Sequence, residues 1–384
     1  MVSATNQVSA SWRGGLPELV KELERQKAAK IDFVADSRSV KVMPRNVGTG
    51  NGFLEIVAGD KQVGEFLTAP HTLSDRAIDQ IGERVKPTVP GRFARELAAQ
   101  QPRIAANLLN EMLTETPSRV MFRCLDGRVR AALSNKYRIL DDLDIAFASL
   151  DVIKRNNGTI LECTASEARM EIKFTATHMV EHIPEDRGGG GFEKHLRRTT
   201  LDPNQFRNLG RGAVCPFVRV SHSGVGEGGL NVGYGILRLA CINGAVTEQA
   251  MNQIHLGAAS DIGLLTEETI AADSRAIMLK CRDLIQASLD PRTFGRIVSV
   301  AKKAQADVIE APSAAVANLV ENAGLTDADR EGILAHFLRD YDANRWGLAQ
   351  AVSRYSQECD DADTASNLET VSGKIIASPA LIGA

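Results

Sequence analysis

Aromatic residues are scarce in this chain: 5% of 384 positions, with two tryptophans and four tyrosines. A core made from it must rely on Ala, Val, Leu and Ile. Cysteine is sparse too. Cys124, Cys163, Cys215, Cys241, Cys281 and Cys359 are widely scattered with no CxxC pair, which removes paired-cysteine metal and redox motifs and predicts buried, reduced thiols. No apolar run approaches the ~18 residues of a membrane span. The opening "MVSATNQVSASWRGG" has no signal-peptide core, so the expected location is the cytoplasm, without membrane contact. Net charge is only −3, so any nucleic-acid site must be local. No internal repeat is present.

Nucleotide and hydrolase signatures are missing as well. There is no GxxxxGK[ST] run and no G-x-S-x-G run. "GVGEGG", 224–229, superficially resembles a dinucleotide loop, but a strand-like run follows it where that loop needs a helix, so it reads as a hairpin turn. "HMVEH", 178–182, matches the H-x-x-E-H zinc pattern. It continues the alternating run "MEIKFTAT" and meets Pro184, and on a strand its histidines stand about 13 Å apart, too far to share one ion. No metal ligand and no cofactor is assigned.

What remains is an ordinary globular composition, 43% hydrophobic and 24% charged, in a chain long enough for two or three units. Residues 1–15 form a polar leader. Residues 16–115 read as helices and a hairpin: "LPELVKELERQKAAK" is a helix with Pro17 in its first turn, and β-runs flank Gly59-Asp60. Residues 116–260 read as a central α+β core, with strands "RVMFRCL" and "RVRAAL" around Asp126-Gly127 and a Gly-rich basic loop over 184–213. From about 245 the pattern turns helical, giving a helical region over 261–384. The predicted class is α+β, hairpin-rich, with a mainly antiparallel sheet core, helices before it and a helical C-terminal region. "ECDDADTASNLE", 358–369, is acidic and reads either as a capped, solvated helix face or as a competitor for a basic groove.

Two basic clusters flank the core. The first holds Arg119, Arg123, Arg128, Arg130, Lys136 and Arg138 against Asp126 alone. The second holds Lys194, Arg197, Arg198, Arg207, Arg211 and Arg219 against Glu193 and Asp202. On a strand, Arg128 and Arg130 share a face. Phosphates require cations on one surface, and Tyr137, Phe192 and Phe206 offer stacking faces. The opposing reading is that these cations are solvated or paired with carboxylates.

Several stretches together resemble the phage/plasmid-like protein family, a group without an assigned activity found on prophages and plasmids. "RCLDGRVRAALSNKYRILDDLD", 123–144, is similar to its signature, with Asp126 and Gly127 at the turn. "VRVSHSGVGEGGLNVGYGILRLACINGAV" matches a second segment, with Cys241, Asn243 and Gly244 in place, and "QIHLG" puts His255 in a family position. "NRWGLAQAVSRYSQECDDADTASNLETVSGKII" resembles the C-terminal block, including Trp346. The resemblance covers about residues 65–375. It departs at Ser221-His222-Ser223, where the family carries an Asn-Ser pair. It implies a mobile-element setting, and the hairpin-rich core is similar in outline to phage single-strand annealing proteins.

The expectation is a cofactor-free protein that binds single-stranded DNA, and promotes annealing, through Arg123, Arg128, Arg130, Lys136, Tyr137, Arg138, Lys194, Arg197, Arg198, Arg207 and Arg211, with further copies of itself as partners. The alternative is a non-enzymatic regulatory or assembly protein acting through protein contacts. An enzyme built around Cys241, Asn243 and His255 is a third reading.

Overall fold

The computed structural model describes residues 12–46, 52–60, 64–137, 139–184, 201–249 and 266–383. In chain order the elements are β1 (Trp12–Gly14), α1 (Leu16–Ala29), β2 (Ile31–Asp36), β3 (Val40–Asn46), β4 (Gly52–Asp60), β5 (Gly64–Leu73), α2 (Asp75–Arg84), α3 (Gly91–Gln100), α4 (Pro102–Glu115), β6 (Arg119–Leu125), β7 (Arg128–Ser134) and α5 (Asp142–Arg155). There follow β8 (Thr159–Ala165), β9 (Met170–Thr175), β10 (Glu181–His182), β11 (Ala213–His222), β12 (Asn231–Arg238), β13 (Asn243–Gln249), α6 (Glu267–Ser288), α7 (Pro291–Ala306), α8 (Pro312–Ala323), α9 (Asp327–Asp340), α10 (Arg345–Ser356) and α11 (Ala362–Ala377). The fold is α+β, with two antiparallel-rich sheets and a helical C-terminal region.

The first sheet has the order β2-β6-β7-β5-β4-β3, with a parallel pairing only between β5 and β7. The β6–β7 turn uses Asp126 and Gly127 at φ 51° and 75°, the doubly left-handed geometry that a tight hairpin requires and that Asp-Gly tolerates. Helices α2–α4 cover one face. Ile78, Ile81, Leu109 and Leu113 pack with Ile56, Phe33 and Phe122, the last two stacked with ring centroids 5.4 Å apart. Asn110 of α4 accepts from Val42 N–H and donates to Val42 C=O, both at 2.8 Å. Its amide thus stands in for a strand partner at the β3 edge.

The second sheet runs β1-β8-β9-β11-β12-β13, with β10 added to β11. One face packs Ile172, Phe174, Val218, Val220 and Ile236 into a core that also holds Trp346 and Ile375 of the C-terminal helices. The opposite face of β9 and β11 carries polar side chains, yet both strands are buried along their whole length. The covering element is α11. Its approach is close: a Cβ at Gly373 would lie 1.7 Å from Val246 O of β13. Arg345 of α10 donates to the carbonyls of Ile375 and Ile376 at 2.8 and 2.6 Å, a cation on the C-terminal end of α11.

Two expectations are corrected here. Residues 243–249 form β13, paired with β12, so the helical pattern expected from 245 does not hold over them. The expected boundary at 115/116 runs through the first sheet, because β6 pairs with β2, and β7 with β5. Local patterning cannot reveal which distant strand a hairpin joins. The "GVGEGG" stretch does connect two antiparallel strands, β11 and β12, as expected of a hairpin turn.

Gly373→Ala is expected to destabilise by roughly 1–3 kcal/mol, because backbone must move. Gly295→Ala, on α7 with nothing within 4 Å of its Cβ position, is expected to stabilise by roughly 0.5–1 kcal/mol. Urea unfolding of the two variants checks both signs.

Candidate functional site

The hairpin that carries the first basic cluster lies at the junction of the two sheets, and Arg123, Arg128 and Arg130 reach across to loops of the second sheet. Arg123 of β6 is partly buried, with 12% of its side chain exposed. Its Nε and Nη2 both donate to Asp32 of β2 at 3.1 Å, and Nη1 donates to Gly224 O at 2.5 Å. Burial opposes its charge, but Asp32 outweighs burial and raises its pKa. Arg130 donates to Glu167 O at 2.8 Å, and Arg128 Nε stands 3.0 Å from Glu167 Oε1. Burial pulls Arg130 below the usual guanidinium range. Tyr137 donates its hydroxyl to Ser223 O at 3.0 Å, and burial raises its pKa. Gln80 of α2 donates to Val225 O at 2.8 Å. Three successive carbonyls of the Gly-rich turn, Ser223 to Val225, are therefore held by side chains of the first sheet and its helix.

Arg123, Arg128, Arg130 and Tyr137, expected to contact DNA, each engage an acceptor in a loop of the second sheet and so join sheet to sheet. Lys136 is exposed. Arg207 and Arg211 are also exposed, on and just after the 3-10 turn Pro203–Leu209. Arg138, Lys194, Arg197, Arg198, Phe192 and His255 lie outside the described residues. Asp126 meets Arg25 of α1 at 3.0 Å with both side chains about half exposed. Cys241 is 5% exposed and Trp346 2%. Gly244 sits under the Phe217 ring, where a Cβ would approach to 2.9 Å, and accepts from Ser353 Oγ at 2.8 Å. The side chain of Asn243 lies outside the description. His178 occupies a turn and His182 the two-residue β10, with Nε2 of His182 3.0 Å from Leu209 O. No cluster of three metal-ligating residues occurs among the described residues. Burial pushes the thiols of Cys124, Cys163, Cys215 and Cys281 up to about 12, which disfavours thiolate chemistry at these four.

A second cluster was not anticipated. Strand register aligns Glu162 of β8 with Lys173 of β9, and Lys173 with Arg219 of β11. Their side chains share the sheet face beneath α11. Lys173 Nζ lies 2.8 Å from Glu369 Oε1 and 3.3 Å from Glu162 Oε2. Arg219 donates to Ser366 O and Oγ at 2.7 Å and to Thr370 Oγ1 at 2.7 Å. Ser366 Oγ lies 2.8 and 2.7 Å from the two oxygens of Glu171. A cavity of about 50 Å³ adjoins the cluster, lined in part by Glu162, Lys173, Glu369, Phe217 and Ser353. Burial alone would raise Glu171, but Arg219, Lys173, the Ser366 hydroxyl and Arg169 outweigh it and hold its pKa below the usual value. For Glu369 burial prevails over Lys173 and Arg219, and its pKa is raised. The alternation of "MEIKFT" and "FVRVSHS" contained the signal, since it put Glu171, Lys173, Arg219 and Ser221 on one face. Such a face ordinarily meets water.

The acidic C-terminal stretch belongs to this architecture. Asp361 caps α11 by accepting from Thr364 N–H at 2.7 Å. Glu369 is buried against Lys173, and Glu358 pairs with Arg354 at 3.5 Å.

Compared with protein-family models, curated proteins and solved structures, the chain matches none.

Arg123→Ala is expected to cost about 3–5 kcal/mol, because it leaves Asp32 with Lys30 at 3.6 Å as its cation and takes the Arg123 donor from Gly224 O. Arg123→Ala/Asp32→Ala is expected to cost less than the sum of the single changes, as read by denaturant titration. Glu171 binds fewer protons folded than unfolded, so its contribution is present above about pH 4.3 and lost as pH falls through its lowered value. Glu171→Gln is accordingly expected to be less stable than wild type at pH 7. The difference should narrow below about pH 4, which unfolding curves across pH will show.

Proposed function

We propose that this chain is a single-stranded-DNA-binding protein of phage or plasmid type, acting by binding, and in strand annealing, without a cofactor. Arg123, Arg128 and Arg130 of the hairpin are engaged in joining the sheets. The reading therefore rests on the second basic cluster. Its carrying observation is the exposure of Arg207 and Arg211 beside a chain stretch that also contains Lys194, Arg197 and Arg198. Phe206, half-buried on the same turn, supplies an aromatic face near these cations. Cations that neutralise phosphates release counterions, so such binding weakens with salt and tolerates sequence change.

An assembly protein acting through protein contacts is the second reading. Phe93 and Ile104, 52% and 55% exposed on α3 and α4, favour it, being large apolar side chains on the outside of a helical layer.

The discriminating measurement is fluorescence anisotropy of a labelled oligonucleotide across salt concentrations. Wild type is expected to bind with a steep log–log salt slope. Replacing Arg207 and Arg211 by Ala should reduce the slope by about two. Arg123→Lys, at the sheet junction, should leave the slope unchanged. Absence of binding at low salt, or an unchanged slope in the double variant, rejects the DNA reading.

A further inference from the structure

We propose that the cavity beside the buried ionic cluster under α11 binds a primary ammonium group, as the free ammonium ion or as the head of a small alkylamine. Its volume is about 50 Å³, a few times the roughly 10–15 Å³ that one water needs. Its lining joins the charged trio Glu162, Lys173 and Glu369 to the apolar side chains of Leu161, Phe217, Leu237 and Ile242.

The charged trio is incompletely satisfied. Lys173, with 5% of its side chain exposed, bridges the two carboxylates. Its Nζ lies 2.8 Å from Glu369 Oε1 and 3.3 Å from Glu162 Oε2. Each carboxylate has a second oxygen. Glu162 Oε1 and Glu369 Oε2 are both buried, and neither has a hydrogen-bond partner among the described residues. Arg219 Nη1 stands 3.7 Å from Glu369 Oε2, beyond hydrogen-bond reach, because its guanidinium is spent on Ser366 and Thr370. The charges agree with this. Glu162, Glu171 and Glu369 meet only Lys173 and Arg219 across the buried row. Arg169 approaches from the Glu171 side, at 3.6 Å, and does not line the cavity. Burial raises the pKa of Glu369 in spite of Lys173 and Arg219, as befits a carboxylate short of donors.

The remaining polar lining adds acceptors. Ser353 Oγ donates to Gly244 O, and Ser356 Oγ donates to Ser353 O. Both hydroxyls spend their one hydrogen this way and keep lone pairs. The Gln357 amide is engaged by Arg354 and by Ile242 O. Against these acceptors stands one further hydrogen of Lys173. A primary ammonium brings three donors and one positive charge. It answers both orphaned oxygens, completes a set of two carboxylates and two ammonium groups, and leaves a short alkyl chain to the apolar wall. Water brings no charge, a quaternary ammonium brings no donor, and an anion would leave both oxygens unanswered. This inference is independent of the DNA reading.

The test is the thermal midpoint of the full chain at about pH 8, where alkylamines stay protonated as lysine does. The chloride salts of ethylammonium, ammonium, tetramethylammonium and potassium are compared at about 10 mM and matched ionic strength. Ethylammonium is expected to raise the midpoint by several degrees over potassium, and tetramethylammonium to leave it unmoved. An equal rise with ammonium assigns the site to the free ion, and a larger rise with ethylammonium assigns it to an alkylamine. Glu162→Gln should abolish the rise. Ser356→Ala, a milder change, should reduce it and keeps the test open if the first variant does not fold. Lys27→Gln, outside the cavity, should retain it in full. The proposal is overturned if neither N–H cation raises the midpoint of wild type, if tetramethylammonium raises it equally, or if the rise survives both cavity variants. Failure of DNA binding in the salt titration leaves this measurement intact, so the two readings fail separately.

Discussion

The ionic row Glu162–Lys173–Arg219, crossing three strands of the second sheet, is the constraint on which the rest of that half depends. A buried charge left without a partner costs several kcal/mol. A sheet face carrying Lys173, Arg219 and Glu171 can be covered only by an element that answers each of them. Helix α11 does so with Glu369, Ser366 and Thr370. Once α11 is seated, Gly373 allows backbone contact with β13, and Arg345 fastens the far end of the helix to α10. The C-terminal helices are therefore part of the sheet's own core.

The same logic, in weaker form, joins the two sheets. Arg123, Tyr137 and Gln80 bind consecutive carbonyls of the turn between β11 and β12. The Gly-rich turn is held by these backbone acceptors together with Val225, buried against Met121, Ala131 and Leu133, and Glu227, paired with Arg76. The density of cations in "RCLDGRVRAALSNKYRILDDLD" follows in large part from this duty. Backbone carbonyls and a facing carboxylate require donors, and arginine supplies several in a fixed geometry. Much of the local positive charge is spent internally, which moves the case for a nucleic-acid surface to the exposed arginines at 207 and 211.

Legibility differed by element. The hairpin marked by Asp126-Gly127, helix α1 with Pro17, and the α+β class were readable because turn geometry and periodicity are local; Gly59 and Asp60, expected at a turn, instead end strand β4, which pairs with β5. Strand β13 was not, because "NGAVTEQ" is short and lacks clear alternation, and only its pairing with β12 makes it a strand. The role of Arg123 was not readable either. Its partner Asp32 lies 91 positions away in sequence, and no spacing rule connects them.

The sequence by itself determined where the chain turns, which faces of each strand are polar, the sparse aromatic content of the cores and the positions of the two basic clusters. Those properties follow from residue type and local spacing. Only the tertiary structure decided which polar face meets water and which meets α11. It also decided that Arg123, Arg128 and Arg130 of one basic cluster are engaged between the sheets while Arg207 and Arg211 of the other stay exposed. Burial of a charge depends on what distant segment packs over it, and that is a property of the assembled fold.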